Sequence, residues 1–144
     1  MCNNDNNNDA CKCIAEILAI INVLQQNACT SESCLDTCDR GFLGCGVSSL
    51  NCNTRPITLY LCNGTPLSMP TTKDDVICTD EGATCSNVFR VEKVDGCCAT
   101  LRVLAPNPDT TSEYPYVATN SFFTMNLNCV CSLRFLSDTY VEGI

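Results

Sequence analysis

The chain has no histidine, no tryptophan and only eight basic residues against sixteen acidic ones, a formal net charge of −8. Without histidine, Ser-His and Cys-His nucleophile pairs are excluded within one chain, as is imidazole ligation of a metal. Without a cationic stripe, displacement of counterions from nucleic acid and polybasic attachment to anionic lipid are both set aside. No Gly-x-Ser-x-Gly elbow and no phosphate loop occurs, and the carboxylates are scattered in the manner of solvating charge. There is also no C-x₂-C. Zinc knuckles and dithiol redox enzymes both favour that spacing, so the sequence points to no metal, no cofactor and no enzyme.

Long apolar runs are missing too. The longest such stretch, "CIAEILAIINVL", is too short and too amphipathic to cross a bilayer, so no membrane insertion is expected. The first ten residues, "MCNNDNNNDA", have none of the cationic start, apolar run and cleavage site of a secretory signal. Synthesis in a reducing cytosol is the expectation.

Against these absences stand fifteen cysteines in 144 residues, a little over a tenth of the chain. That density marks an oxidised disulfide scaffold. A chain of this length buries about two-thirds of its unfolded surface and does not need staples merely to fold. The number is odd, so at least one thiol stays free, binds something or pairs with another chain. In "CTSESCLDTCDRGFLGCGVSSLNC", Cys29 to Cys52, five cysteines are separated by four, three, six and six residues.

Along the chain, residues 1–10 read as a flexible arm with almost nothing to bury. A single domain is expected over residues 11–136, with a helix over about 10–27, cysteine-rich loops over 28–53 and a β region over 54–136. Residues 137–144 are expected to form a loosely held tail. Asp9 is a candidate N-cap, and Ile14, Ile17, Leu18, Ile21 and Leu24 share one face of the helix. Cys11 and Cys13 diverge around it beside an arm with no core to join, and they are poor partners for each other.

In the β region, "PITLYLC" followed by Asn63-Gly64 is a hairpin signal, with Pro56 confined to the strand's opening. The same Asn63 begins an "NGT" glycosylation acceptor pattern, but the turn explains it better. A short strand is expected near "DVICT". In "VFRVEKVDGCCATLRVL", a three-residue loop from Val94 to Gly96 would pair Phe89 with Leu101 and Val91 with Ala99. That register puts Phe89, Val91, Ala99, Leu101 and Val103 on one face and Arg90, Glu92, Thr100 and Arg102 on the other. Cys97 then joins the apolar face and Cys98 points away from it, which disfavours a vicinal disulfide. After a long surface loop, "APNPDTTSEYPY", the last strand region places Phe123, Met125, Leu127, Cys129, Cys131 and Leu133 on one side. The fold class is mainly β: an antiparallel, sandwich-like domain preceded by one N-terminal α-helix and a cysteine-rich loop region.

These contexts divide the cysteines. Cys62, Cys97, Cys129 and Cys131 lie in apolar or strand surroundings and read as buried or intrachain. Cys2, Cys11, Cys13, Cys29, Cys34, Cys38, Cys45, Cys52 and Cys98 are the candidates for disulfides and cross-links. Cys2, on the arm, is well placed to reach a neighbouring subunit.

"NTRPITLYLCNGTPL", "FRVEKVDGCCATLRVL" and "LNCVCSLRFL" closely resemble the spore coat protein Y/Z family of endospore-forming bacteria, which includes an exosporium protein. "INVLQQNACTSESCLDTCDRGFLG" is similar to that family's helix and cysteine cluster, so the resemblance covers roughly residues 13 to 136. It implies a structural protein made in the mother-cell cytosol without a signal peptide. It further implies self-assembly into two-dimensional arrays of hexameric rings, cross-linked by disulfides in the spore coat or exosporium. The implied partners are further copies of the chain and other coat or exosporium proteins. Strand edges and the apolar helix stripe are candidate contact surfaces. Two other readings stay open: a cysteine-rich metal-binding or thiol protein, and a monomeric disulfide-stapled binding module.

Overall fold

A computed structural model describes residues 11–27, 52–78, 82 and 84–144. The elements are a helix, α1 (Lys12–Gln26), and strands β1 (Ile57–Leu61), β2 (Met69–Pro70), β3 (Cys85–Ser86), β4 (Val88–Asp95), β5 (Cys98–Pro106), β6 (Tyr116–Asn126) and β7 (Val130–Phe135). A single 3₁₀ turn, Leu127–Cys129, separates β6 from β7. The chain is mainly β, with one N-terminal helix and a five-stranded antiparallel sheet in the order β6-β5-β4-β1-β7. β2 and β3 form a separate two-stranded ribbon.

The sheet cannot be flat. β1 meets β4 at one residue pair, Ile57 with Phe89, and then pairs along its length with β7. Asn126 stands opposite Cys98 on one edge, and Val130, four residues later, stands opposite Leu61 on the other. Four residues reach at most about 14 Å. Across a flat five-stranded sheet the edges lie about 19 Å apart. The β1–β7 pair therefore folds over β4–β5–β6, giving two layers joined at one corner. Phe89, Val91, Ala99, Leu101 and Val103 line the inner face, packed against Ile57 and Leu59, Leu127 and Val130, and Leu18 and Ile21 of α1.

The β4–β5 hairpin keeps the expected division of faces but shifts its register. Phe89 pairs with Val103 and Val91 with Leu101, and a bulge between Val91 and Lys93 leads on to Val94 with Ala99 and Asp95 with Cys98. The turn is thus Gly96-Cys97, with Gly96 at φ +58°. The reason lies in "VEKV". Two polar residues separate Val91 from Val94, so strict alternation would bury Lys93, and a bulge returns Val94 to the core side. The offset from the expected pairing is an even number of residues, so no side chain changed face.

Four other expectations need correcting. The helix begins after Cys11, which is 1% exposed and belongs to the core rather than to an arm. The stretch "DVIC" forms no strand, and Val76 and Ile77 are exposed. The 3₁₀ turn breaks the face expected over residues 123–133. Leu127 and Val130 are buried there, while Cys131 falls at an irregularity in the β1–β7 ladder and is exposed. Residues 137–144 are held: Thr139 bridges to Thr54, Val141 is fully buried, and Asn53 bonds both the N–H and the carbonyl of Val141. The Arg55–Asp138 ion pair, at 2.7 Å, adds a charged clamp to this segment.

One polar side chain joins the layers. In the register that pairs Ile57 with Phe89, Arg55 would stand opposite Val91. There the strands have already parted. The side chain of Gln25 fills the gap, donating to the Val91 carbonyl at 2.8 Å and accepting from the Arg55 N–H at 3.1 Å. A helix residue thus stands in for a missing ladder bond, satisfying backbone groups that burial would otherwise strand.

Candidate functional site

The chemistry of this chain resides in its sulfurs. Three disulfides join described residues: Cys11–Cys97, Cys62–Cys131 and Cys78–Cys85, with Cα separations of 5.7, 4.9 and 5.8 Å. Such separations suit a bridge without backbone movement. Each has a distinct mechanical task. Cys11–Cys97 ties the start of α1 to the β4–β5 turn. Cys62–Cys131 ties the end of β1 to β7. Cys78–Cys85 closes the base of a loop carried by the β2–β3 ribbon. Cys52 and Cys129 are also disulfide-bonded. Cys2, Cys29, Cys34, Cys38 and Cys45 lie outside the described residues.

Two described cysteines are free, Cys13 and Cys98, and both are exposed. Their positions follow from local geometry. Cys13 is two residues past Cys11, about 200° around the helix axis, so burial of one directs the other to solvent. Cys98 opens β5 directly after the bridged Cys97 and joins Lys93, Asp95, Thr100 and Thr124 around a shallow depression of about 140 Å³. Each free thiol is therefore next or next but one to a partner in a single disulfide, Cys11–Cys97. One bridge fixes the backbone from which both project.

Further along the β4–β5 hairpin, away from Cys98, lies a group of paired charges. Arg90 and Arg102 stand directly opposite each other on β4 and β5. Glu92 lies between them, 2.9 Å from Arg90 and 3.2 Å from Arg102, and relieves the repulsion of two facing guanidiniums. Arg90 also donates to Thr54 Oγ1 and the Asn53 carbonyl, while Arg102 lies 4.5 Å over the ring of Phe122. On the neighbouring clamp, the hydrogen bonds that Arg55 donates to the Asp138 carboxylate hold its guanidinium above its ordinary pKa, against partial desolvation. Asp109, in the β5–β6 loop, is lowered by hydrogen bonds from the Thr111 hydroxyl and N–H.

Among the described residues, no group of three cysteines or carboxylates converges as metal ligands, and no helix is long and apolar enough to cross a membrane. The apolar stripe of α1, offered as a contact surface, is largely taken up by the core: Leu18 and Ile21 are buried, with Ile14 and Ile17 packed against them. The exposed apolar residues of that helix are Ile20 and Val23. The reading of sequence had passed over Cys78 and Cys85. The available signal was "CTDEGATC", two cysteines bracketing a glycine-containing polar stretch. Gln25 carried no comparable signal, because a glutamine near a helix end is ordinarily a surface residue.

Comparison with known proteins gives one family. The model of the family described as spore coat protein Z matches residues 1–115, which takes in α1, β1 to β5 and the β5–β6 loop and stops just before β6. No curated protein and no solved structure matches.

Proposed function

The chain belongs to the spore coat protein Z family, and from that premise we propose that it is a building block of an outer spore layer, coat or exosporium. In this reading copies associate noncovalently into rings, six-membered ones in the arrangement that the family resemblance implies, and rings join into a two-dimensional lattice. Disulfides between chains then lock contacts already made. A spore coat structural role is what membership supports. The ring, the lattice and the covalent seams are the proposal.

The observation that carries it is the division among described cysteines: eight are disulfide-bonded, six of them in the bridges Cys11–Cys97, Cys62–Cys131 and Cys78–Cys85, while Cys13 and Cys98 are free and exposed. A bridge within a chain stabilises the subunit, but only a free thiol can make a seam between subunits by direct oxidation. The polypeptide then serves as material, with no turnover chemistry. Thiols loaded in a reducing cytosol stay reduced until the compartment changes, so a cysteine-dense subunit can assemble before it is cross-linked.

The test is assembly of the wild type and a Cys13→Ser/Cys98→Ser variant, followed by mild oxidation and heating in detergent with and without reductant. Electron microscopy should find ordered sheets for both proteins before heating. Wild-type sheets should survive heat until reductant is added, and the variant's should lose that resistance in large part. Wild-type particles that dissolve equally with and without reductant would refute the covalent seam. Stoichiometric zinc in protein purified under reducing conditions would favour the metal-binding alternative.

A further inference from the structure

The most exposed large apolar side chain on the described surface is Val76, at 83%, and Ile77 beside it is 51% exposed. They are not loosely carried. Thr72 Oγ1 donates to Asp75 at 2.7 Å, closing the turn just before them. Cys78–Cys85 fixes the chain just after them. Beneath, Met69 pairs with Ser86 and the Thr71 N–H donates to the Thr84 carbonyl at 2.9 Å. A turn, a disulfide and a two-stranded base thus hold two branched aliphatic side chains out in water. Such exposure is unfavourable unless something covers it.

Elsewhere on the chain is a matching cavity. Between the first half of α1 and the β4–β5 turn lies an open pocket of about 310 Å³, lined by Ala15, Ala19, Val94, Gly96 and the Cys11–Cys97 bridge, with Lys12 and Glu16 also on its wall. Its apolar floor results from small residues: alanines face a glycine turn, so helix and hairpin stand apart where larger side chains would close the gap. Ile20 and Val23, both more than half exposed, extend the apolar surface along the helix. Neither Val76 nor Ile77 lines this pocket in the same chain.

We propose that Val76 and Ile77 of one copy seat in the α1/β4–β5 pocket of a second copy, a contact that rests on the self-association reading above and deepens it. Charge supports a copy of this chain as the occupant. The knob follows directly on Lys73, Asp74 and Asp75, exposed charges of both signs, and the pocket carries Lys12 and Glu16, again one of each. An aspartate of the turn faces Lys12 and Lys73 faces Glu16 when the knob enters. Knob and pocket are different patches, so the contact is head to tail, and repeating it closes a ring or extends a chain. It also places the incoming loop beside Cys13 and Cys98, which flank the pocket's disulfide. The two free thiols then border a junction that is already registered.

The test uses full-length protein before oxidation, followed by sedimentation velocity. Val76→Asp/Ile77→Asp removes the knob and Ala19→Trp fills the pocket; circular dichroism and mapping of Cys11–Cys97, Cys62–Cys131 and Cys78–Cys85 check that each variant folds. Each variant alone should shift the concentration for half-assembly upward at least tenfold. Mixed in equal amounts, they should form a discrete heterodimer, because one intact knob and one intact pocket remain. As a second route that leaves the pocket's volume unchanged, Lys12→Glu should weaken assembly and adding Asp74→Lys should restore it. Variants that assemble like the wild type would overturn the junction while leaving layer formation intact. So would two folded variants that fail to form a heterodimer, or a charge reversal without rescue. Loss of folding rather than assembly in Ala19→Trp, reversed by deleting residues 1–10, would give the pocket to the chain's own arm and also overturn it. A wild type that never assembles would remove both readings together.

Discussion

Gln25→Leu is the sharpest test of how the two layers are joined. The glutamine is 4% exposed and serves two backbone groups, the fully buried Val91 carbonyl and the part-buried Arg55 N–H. Leucine keeps the volume and the helix propensity but offers neither donor nor acceptor. Stranding the buried carbonyl removes about 1–3 kcal/mol, and the N–H, closer to water, adds about 1 kcal/mol or less. A net loss of about 2–3 kcal/mol is expected, a fall in Tm of about 4–12 °C for a chain of this size. Urea unfolding followed by far-ultraviolet circular dichroism, with free thiols alkylated to suppress exchange, measures it. Gln25→Glu separates the hydrogen bonds from packing. At neutral pH the introduced carboxylate still accepts from Arg55 but faces the Val91 carbonyl without a proton, so its folded pKa is raised. Below the unfolded value of about 4.3 it is neutral in both states and can donate to Val91. The penalty should therefore be small at pH 4, grow as pH rises through that value and level off above the folded pKa. A leucine variant within about 0.5 kcal/mol of wild type, inside the range of ordinary surface changes, would refute the reasoning. A glutamate variant indifferent to pH would do the same.

Other outcomes follow from the same geometry. Cys11–Cys97 spans 86 residues and Cys78–Cys85 spans 7. Chain entropy alone makes replacing the first pair by serine about 2 kcal/mol more destabilising than replacing the second, read as a difference in urea midpoint; equal losses would point away from loop closure. Glu92→Gln should lower stability by about 1–2 kcal/mol by leaving Arg90 and Arg102 to face each other, and added salt should recover part of it by screening. Asp138→Asn removes the charged partner of Arg55 and should increase hydrogen exchange at Val141 while leaving exchange in β4 and β5 unchanged; protection lost evenly over the sheet would contradict a local clamp.

What could be read from sequence was whatever period and turn chemistry control. The inner face of β4 and β5 was legible because Phe89, Val91, Ala99, Leu101 and Val103 alternate, and alternation survives an even register error. The bulge at "VEKV" was overlooked, although two polar residues between valines are its signature. The corner between β1 and β4 was hidden because nothing local tells a strand when to leave its neighbour, and Gln25, which repairs that corner, is 30 residues from Arg55 and 66 from Val91. The C-terminal segment looked loose because its anchors, Asn53, Thr54 and Arg55, lie more than eighty residues away. For the sulfurs, sequence supplied positions but not pairings. The burial of Cys11 depends on the β4–β5 turn meeting the start of α1, a tertiary fact.

Isotope mixing tests the central claim most directly. Equal amounts of unlabelled and ¹⁵N-labelled protein are assembled and oxidised, the layer is digested without reduction, and disulfide-linked peptides are weighed. Cys62–Cys131 and Cys78–Cys85 should appear only as all-light or all-heavy pairs, and Cys11 should always carry the same label as the Cys97-Cys98 peptide it is bridged to. The peptides joined to that assembly through Cys98, or to one another through Cys13, should appear with mixed labels. Cross-linked peptides that never combine a light half with a heavy half would contradict the account.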